Sequence, residues 1–179
     1  MDRIELIDQP EISFINTNTG EFNGEDFTGL SSLPENWSID LNGESVDYTN
    51  WSVVDSSSAG GTAPELRFSW APTSNNTFRI STYLIDASNR SDLELQFIHS
   101  INHWTWGYSY ILKVQTKTEV QSNWVDKWDI TNSGNKPPTI VTVDLSDLDG
   151  QKFQIAWVFD GNSNNINYWY IDDIVLASN

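Results

Sequence analysis

Hydrophobic and polar residues alternate along most of this chain with a period of two, and no segment shows the 3.6-residue period of an amphipathic helix. The segment from Ser109 to Lys117 shows this most clearly. Tyr110, Leu112 and Val114 fall on one side of it, and the intervening lysines and glutamine fall on the other. This pattern predicts a β-strand with one face in a hydrophobic core and the other in solvent.

Similar short runs recur along the chain, rich in β-branched or aromatic residues and bounded by Gly, Asn, Asp, Ser or Pro. They are Thr77 to Ile85, Asp92 to Ser100, Trp124 to Ile130 and Thr139 to Leu145. Regularly spaced strands of this kind predict an all-β, antiparallel sandwich, and 179 residues are enough for one sizeable core. We therefore expect a single domain over residues 21–179, with residues 1–20 as a lead-in or an extra edge strand.

The segment from Phe153 to Leu176 reads as a β-hairpin with an acid inside its second strand. In the first strand, alternation places four residues on one buried face: Phe153, Ile155, Trp157 and Phe159. In the second strand, it places five residues on one face: Tyr168, Tyr170, Asp172, Ile174 and Leu176. Burying an unpaired carboxylate is costly, so Asp172 is expected to meet a bound cation or several hydrogen-bond donors.

Charge and composition narrow the function. The chain has 25 acidic residues against 9 basic ones, a net charge of −16. This charge repels phosphate backbones and anionic lipids, which argues against nucleic-acid and membrane binding and favours divalent cations and neutral ligands. There is no cysteine, so disulfides, thiolate nucleophiles and Cys-based zinc sites are excluded. The sequence contains no run of about 18 consecutive apolar residues, which is the pattern that would predict a membrane span.

Four segments appear in a characteristic order along the chain, and the last of them is the acidic ending. They are Glu25 to Phe27 with Leu33 to Trp37, then Trp51 to Phe68, then Val143 to Gly150, and finally Tyr168 to Leu176. Together they resemble the MAM, gingipain cleaved-adhesin and choice-of-anchor J group of secreted bacterial β-sandwich modules. The MAM disulfides are absent, and the aromatic segment from His99 to Asp129 matches no signature of the group. The resemblance implies a jelly-roll-like β-sandwich and an extracellular or cell-surface location.

In the resembling sandwiches the acidic opening strand lies beside the strand carrying Ile-Asp-Asp. Calcium takes about 6 to 8 oxygen ligands, so the resemblance implies a calcium site there. The candidate metal ligands are Glu25, Asp26, Asp172 and Asp173, with Glu25 and Asp172 foremost. Adjacent strand residues point to opposite faces, so Asp172 and Asp173 are not expected to bind one enclosed ion together. The alternative is that these acids cap turns or pair with Arg67 or Arg79.

Aromatic residues among amides and hydroxyls suggest a second site. Flat rings pack against the apolar C–H faces of sugars, and nearby polar groups hydrogen-bond the hydroxyls. The candidate ligand-binding residues are Trp104, Trp106, Tyr108, Trp124, Trp128 and Trp169. The alternative is that most of them belong to the core, which needs bulky inward side chains. His99 and His103 have no third ligand at a metal-binding spacing and are interpreted as structural histidines.

No catalytic motif supports an enzyme, since the chain lacks a Gly-x-Ser-x-Gly elbow, a phosphate-binding glycine loop and a His-Glu-x-x-His helix. We therefore expect a non-catalytic, calcium-stabilised carbohydrate-binding module of a larger secreted or cell-surface protein. Its expected partner is a glycan or polysaccharide, and the module is expected to be monomeric within a multidomain parent. A protein-binding adhesin domain and a structural spacer of the same fold remain the alternatives.

Overall fold

A computed structural model describes residues 21–43, 49–131 and 134–178. The lead-in predicted for residues 1–20 lies outside the described residues. Over these ranges the regular structure consists of β-strands and short 3₁₀ turns. Within the same ranges, no helix has the length and apolar character needed to span a bilayer.

The described chain contains twelve strands, which follow one another with short connections. They are β1 (Glu21–Glu25), β2 (Ser38–Asp40), β3 (Trp51–Val54), β4 (Glu65–Ser69), β5 (Asn75–Ser81), β6 (Ile85–Asp86), β7 (Glu94–His103), β8 (Tyr110–Thr118), β9 (Val125–Thr131), β10 (Lys136–Asp144), β11 (Lys152–Asn162) and β12 (Ile166–Ala177).

In the described part of the chain these strands form two six-stranded antiparallel sheets. The first has the order β10-β7-β12-β4-β3, and β1 pairs with the C-terminal part of β12. The second has the order β2-β5-β11-β8-β9, and β6 pairs with the start of β11. The predicted antiparallel β-sandwich is therefore confirmed. The predicted β-hairpin over residues 153–176 was wrong, because β11 and β12 do not pair with each other and instead lie in the interior of different sheets.

The inward face of β11 supplies much of the core between the sheets. Phe153, Ile155, Trp157 and Phe159 are all buried, as their alternation predicts. The Trp157 ring stacks on Trp37 with centroids 5.5 Å apart, and the Phe159 ring stacks on Phe68 at 4.3 Å. Because these large rings join the two sheets directly, burial of their apolar surface is a main contribution to the stability of the sandwich.

The inward face of β12 differs from the prediction. Trp169 and Ile171 point into the core, so Tyr168, Tyr170 and Asp172 lie on the outer face. Between Asp172 and Val175 the pairing with β7 shifts by one residue, and Asp173 has a φ of 47°. This β-bulge inserts an extra residue and reverses the alternation, so Ile174 and Leu176 return to the core. The prediction that one face carries five alternate residues was wrong for this reason; they are Tyr168, Tyr170, Asp172, Ile174 and Leu176.

The connection between β3 and β4, residues 55–64, folds over the outer face of the first sheet. A Cβ placed on Gly60 would lie 2.8 Å from Pro138 of β10, and one on Gly61 would lie 2.2 Å from Oδ2 of Asp172. The connection therefore crosses the strands of this sheet in close contact. It covers Asp172, which explains how a residue on the outer face is completely buried.

Candidate functional site

Asp172 lies at the centre of a group of acids that we term the acidic cluster: Asp26, Glu65, Asp172 and Asp173. Its Oδ1 accepts a hydrogen bond from the Asp173 backbone N–H at 2.9 Å. Its Oδ2 is buried and has no hydrogen-bond partner among the described residues. The pKa of Asp172 is raised to about 7, mainly by desolvation and in addition by the nearby charges of Asp173, Glu65 and Asp26. The cluster thus presents an unsatisfied buried oxygen in a negative environment.

The β-bulge brings two carboxylates of the cluster together. A Cβ on Gly61 would lie 2.2 Å from Oδ2 of Asp172 and 2.9 Å from Oδ2 of Asp173, so both oxygens face the same glycine. The expectation that Asp172 and Asp173 do not bind one enclosed ion together rested on strict strand alternation, which the positive φ of Asp173 breaks. A Cβ at position 61 would force the Asp172 and Asp173 side chains to move.

Glu65, at the start of β4, was missed by the sequence reading. Its carboxylate is buried and accepts hydrogen bonds from the backbone N–H groups of Ser58 at 2.7 Å and Ala59 at 2.6 Å, and from the Ser56 hydroxyl. These three bonds satisfy the charge of Glu65 and hold the connection 55–64 over the first sheet. The sequence feature that could have pointed to Glu65 is the family-like segment 51–68, which contains both Glu65 and its donors.

Glu25 lies on the strand that pairs with β12, opposite Ile174, as expected, but its carboxylate serves its own turn. Its Oε1 accepts a hydrogen bond from the backbone N–H of Phe27 at 2.7 Å, and its charge acts on Tyr83. Burial raises the pKa of Glu25. Asp26 likewise accepts from the backbone N–H of Thr28. Both acids therefore cap their own turn, which is one of the alternatives considered above.

The four predicted metal ligands are not gathered into one coordination sphere. Over the ranges that the structure describes, no three His, Cys, Asp or Glu side chains form a group that could hold a metal ion. Pairing with arginine does not explain the acids either: Arg79 binds Asp40 at 2.6 Å, and Arg67 forms no ion pair with any described carboxylate. An ion beside Asp172 would need backbone oxygens or water as further ligands.

Three of the six predicted ligand-binding aromatics lie together in the loop between β7 and β8, residues 104–109. Trp104, Trp106 and Tyr108 are 48%, 66% and 49% exposed. Their loop is held by Asn165, from the 3₁₀ turn Ser163–Asn165 that joins β11 to β12. The Asn165 side chain accepts hydrogen bonds from the backbone N–H groups of Trp106 at 2.8 Å and Tyr108 at 3.3 Å, and donates to the Tyr108 carbonyl at 2.7 Å. One buried amide therefore fixes a loop whose rings face solvent.

Trp70 lies at the same end of the sandwich, and the sequence reading missed it. It is 44% exposed and directly follows β4. Its backbone N–H donates to the Asn167 carbonyl at 3.1 Å, and its carbonyl accepts from the Ser163 hydroxyl at 2.8 Å. We term these four residues the aromatic end: Trp70, Trp104, Trp106 and Tyr108. Trp70 gave no signal because it stands alone in sequence, and only the fold brings it beside the turn that carries Asn165.

Two of the remaining predicted aromatics are tied to the core, Trp169 fully buried within it and Trp128 half-buried against it. Trp169 is fully buried, and its Nε1 donates to Nδ1 of His99 at 3.2 Å. Trp128 packs edge-on against Phe97 and His99. The prediction of ligand contact was wrong for Trp169 because its side chain points between the sheets, and Trp128 likewise packs against the core.

Trp124 lies apart from the aromatic end. It follows the far end of β8, and the Arg79 guanidinium lies 5.1 Å from its ring centroid. Half-buried Trp124 thus covers charged side chains on the outer face of the second sheet.

Both histidines have structural partners. Burial lowers the pKa of His99 to about 4, so it is neutral at neutral pH and can accept from Trp169. His103 Nδ1 and the Tyr110 hydroxyl are 3.0 Å apart, within hydrogen-bonding distance. The structural interpretation of the two histidines is therefore supported by their contacts.

No family model matches the sequence, and no curated protein is similar to it in sequence. Among solved structures, the K1 cleaved adhesin domain of Lys-gingipain from Porphyromonas gingivalis W83 is similar over 87% of this chain and 96% of that domain, with a TM-score of 0.64 at 14% identity. This chain has the fold of the cleaved adhesin domains. The resemblance seen in the sequence is thereby confirmed for the fold.

Two carbohydrate-binding modules share the same architecture. One is TmCBM61 in complex with β-1,4-galactotriose, which is similar over 87% of this chain and 100% of that one, with a TM-score of 0.55 at 13% identity. The other is the family 11 module from Clostridium thermocellum in complex with a β-1,3-1,4-mixed-linked tetrasaccharide, similar over 86% of this chain and 92% of that one, with a TM-score of 0.55 at 16% identity.

Proposed function

We propose that this protein is a non-catalytic carbohydrate-binding module of a larger secreted or cell-surface protein, and that the aromatic end contacts the sugar. The observation that carries the proposal is the exposure of Trp104, Trp106 and Tyr108 on one short loop fixed by Asn165. Solvent-exposed rings held in place before binding lose little conformational freedom when a sugar packs on them. Hydroxyl and amide groups of neighbouring loops can hydrogen-bond the sugar hydroxyls.

The solved complexes support this proposal, since modules of the same fold hold β-1,4-galactotriose and a mixed-linked tetrasaccharide. The net charge of −16 also favours neutral polysaccharides over polyanions. A protein-binding adhesin domain is the second candidate. The TM-score of 0.64 to a cleaved adhesin domain favours it, compared with 0.55 for the two carbohydrate-binding modules.

The glycan proposal is tested by isothermal titration with soluble glucans, galactans, xylans and mannans. Trp104→Ala and Trp106→Ala should each lower the affinity by about 1 to 3 kcal/mol, by analogy with stacking on other planar ligands, and leave the melting temperature almost unchanged. Val120→Ala is the control, because Val120 is 86% exposed in the turn at the far end of β8. If no glycan binds and a host protein surface does, the adhesin function replaces this one.

We further propose that calcium stabilises the fold beside Asp172. Two features support a cation there: the unpartnered Oδ2 of Asp172 and the absence of a Cβ at Gly61, which leaves room above it. Asp172 and Asp173 would hold the ion with backbone oxygens or water, and calcium would neutralise their charge. A resident cation of this kind offsets the cost of a buried carboxylate.

Calcium stabilisation is tested by melting the protein with and without chelator. An ion that binds only the folded state stabilises it by about 2.7 kcal/mol at a hundredfold excess over its dissociation constant. Asp172→Ala should abolish the response to calcium, whereas Asp129→Ala, an exposed acid in β9, should retain it. Equal melting temperatures for the wild type in calcium and in chelator would contradict the proposal.

A further inference from the structure

The outer face of the first sheet carries an arginine among tyrosines, in the row next to Glu65 and Asp172 of the acidic cluster. In the register of the sheet, Arg67 of β4 lies between Ser52 of β3 and Tyr170 of β12. The next row contains Tyr168, opposite Asn102 of β7. We term these five residues the Arg67 surface. The neighbouring strand residues are buried in the core, so the five side chains point outward.

Arg67 lacks the carboxylate partner that four of the other seven described lysines and arginines have. Arg79, Lys113, Lys127 and Lys152 each form an ion pair with a carboxylate. Arg67 forms none with the described residues, in a chain whose net charge is −16. Its hydrogen bonding is also incomplete, since Nη2 is 3.4 Å from the Ser52 hydroxyl and the buried Nε has no partner in the described chain.

Two tyrosines hold the Arg67 guanidinium in place. Its carbon lies 5.0 Å from the centroid of the Tyr168 ring, in a cation–π contact. The rings of Tyr168 and Tyr170 are 5.6 Å apart, and the Tyr170 side chain is hydrogen-bonded to Ser58. A guanidinium fixed in this way loses little conformational freedom on binding. Its planar fork matches a carboxylate better than it matches a neutral sugar hydroxyl.

The Arg67 surface adjoins the aromatic end through β4. Arg67 and Trp70 are three residues apart, which is about 10 Å along a strand. The Trp70 backbone bonds to Asn167, the residue before Tyr168. A glycan that packs on Trp70 can therefore extend towards Arg67 without leaving the protein surface.

We propose that Arg67 forms a subsite for the carboxylate of a uronic acid carried on an otherwise neutral glycan. This inference rests on the proposed carbohydrate-binding function and adds a selectivity for charge to it. A continuous polyuronate is disfavoured because the net charge of −16 repels it, whereas a single carboxylate needs only the one cation.

The test compares methyl β-D-glucuronide with methyl β-D-glucoside, titrated into ¹⁵N-labelled protein. The arginine Nε–H signal that disappears in Arg67→Lys belongs to Arg67. In the wild type it should shift with the glucuronide and not with the glucoside, and the apparent affinity should fall as salt is raised from 20 to 300 mM, about the range over which exposed charges become screened. The binding measurement therefore uses the wild type, and Arg67→Lys serves only to assign the signal.

Arg67→Gln should weaken glucuronide binding by about tenfold or more, the loss typical of one charge-assisted bond. Lys117→Gln is the matched control. Lys117 lies on the second sheet, also faces a ring, that of Trp124, and has no carboxylate partner among the described residues. An unshifted Arg67 signal, or equal binding by Arg67→Gln, overturns the subsite. Tighter binding of an acidic peptide than of the glucuronide at Arg67 overturns it in favour of a protein contact.

The two proposals fail in different ways. If neutral glycans still bind and lose affinity in Trp106→Ala while the glucuronide leaves Arg67 unchanged, only the uronic acid subsite is wrong. If neither neutral nor acidic glycans bind, the carbohydrate-binding function itself is wrong and the subsite fails with it.

Discussion

Replacing Asp172 by Asn should remove a pH dependence of stability that the buried carboxylate imposes. In protein freed of calcium, the folded-state pKa of Asp172 is about 7, against an ordinary aspartate pKa of 3.8. Between these two values the folded state holds a proton that the unfolded state has lost. The free energy of unfolding therefore falls as the pH rises through this window, because the group binds more protons in the folded state.

The magnitude follows from the two pKa values. Between pH 5 and pH 8 this one group lowers the free energy of unfolding by about 2.5 kcal/mol, of a total of about 4 kcal/mol for the full shift. For a domain of this size, 2.5 kcal/mol corresponds to roughly 5–10 °C in melting temperature. Asn keeps an oxygen that can accept the Asp173 N–H but carries no charge, so Asp172→Asn should lack this term.

The assay is urea unfolding of both proteins at pH 5 and pH 8 in calcium-free buffer. Other groups titrate in the same range: the lowered pKa of His99, about 4, makes stability rise with pH up to about 6.5. Because His99 is present in both proteins, its contribution cancels in the difference between them. Adding calcium should reverse this pH dependence of stability in the wild type and leave that of Asp172→Asn unchanged. Identical pH profiles for the two proteins without calcium would refute the reasoning.

Three further predictions concern packing and the support of the loop that carries Trp106 and Tyr108. Gly61→Ala should lower stability by about 1–3 kcal/mol, because its Cβ would lie 2.2 Å from Asp172 Oδ2, and a wild-type urea midpoint would contradict this. Trp157→Ala should cost about 3–5 kcal/mol, since Trp157 is fully buried and stacked on Trp37; an unchanged thermal melt would show that the core collapses around the gap. Asn165→Ala should leave Trp106 and Tyr108 without their shared acceptor and weaken glycan binding in titration calorimetry, and full affinity would show that the loop needs no such support.

The alternation of residues by itself determined the strands and the buried face of β11. A strand with Phe153, Ile155, Trp157 and Phe159 at alternate positions can bury these rings only against a second layer, so the sandwich follows from local pattern and the hydrophobic effect. The motif order in segments 25–37, 51–68 and 168–176 added the family-like fold. The charge of −16 narrowed the class of ligands without reference to any structure.

Tertiary structure decided the site, because its groups come from segments distant in sequence. The bulge at Asp173 reversed the alternation of β12, brought Asp173 beside Asp172 and sent Trp169 into the core. A period-two rule cannot anticipate one inserted residue. Exposure depends on what the rest of the chain covers. The connection 55–64 buries the outward-facing Asp172, whereas nothing in the described chain covers Trp70 to the same extent. Local sequence sets which way a side chain points, but only packing against distant segments sets whether it meets solvent, another charge or a ligand.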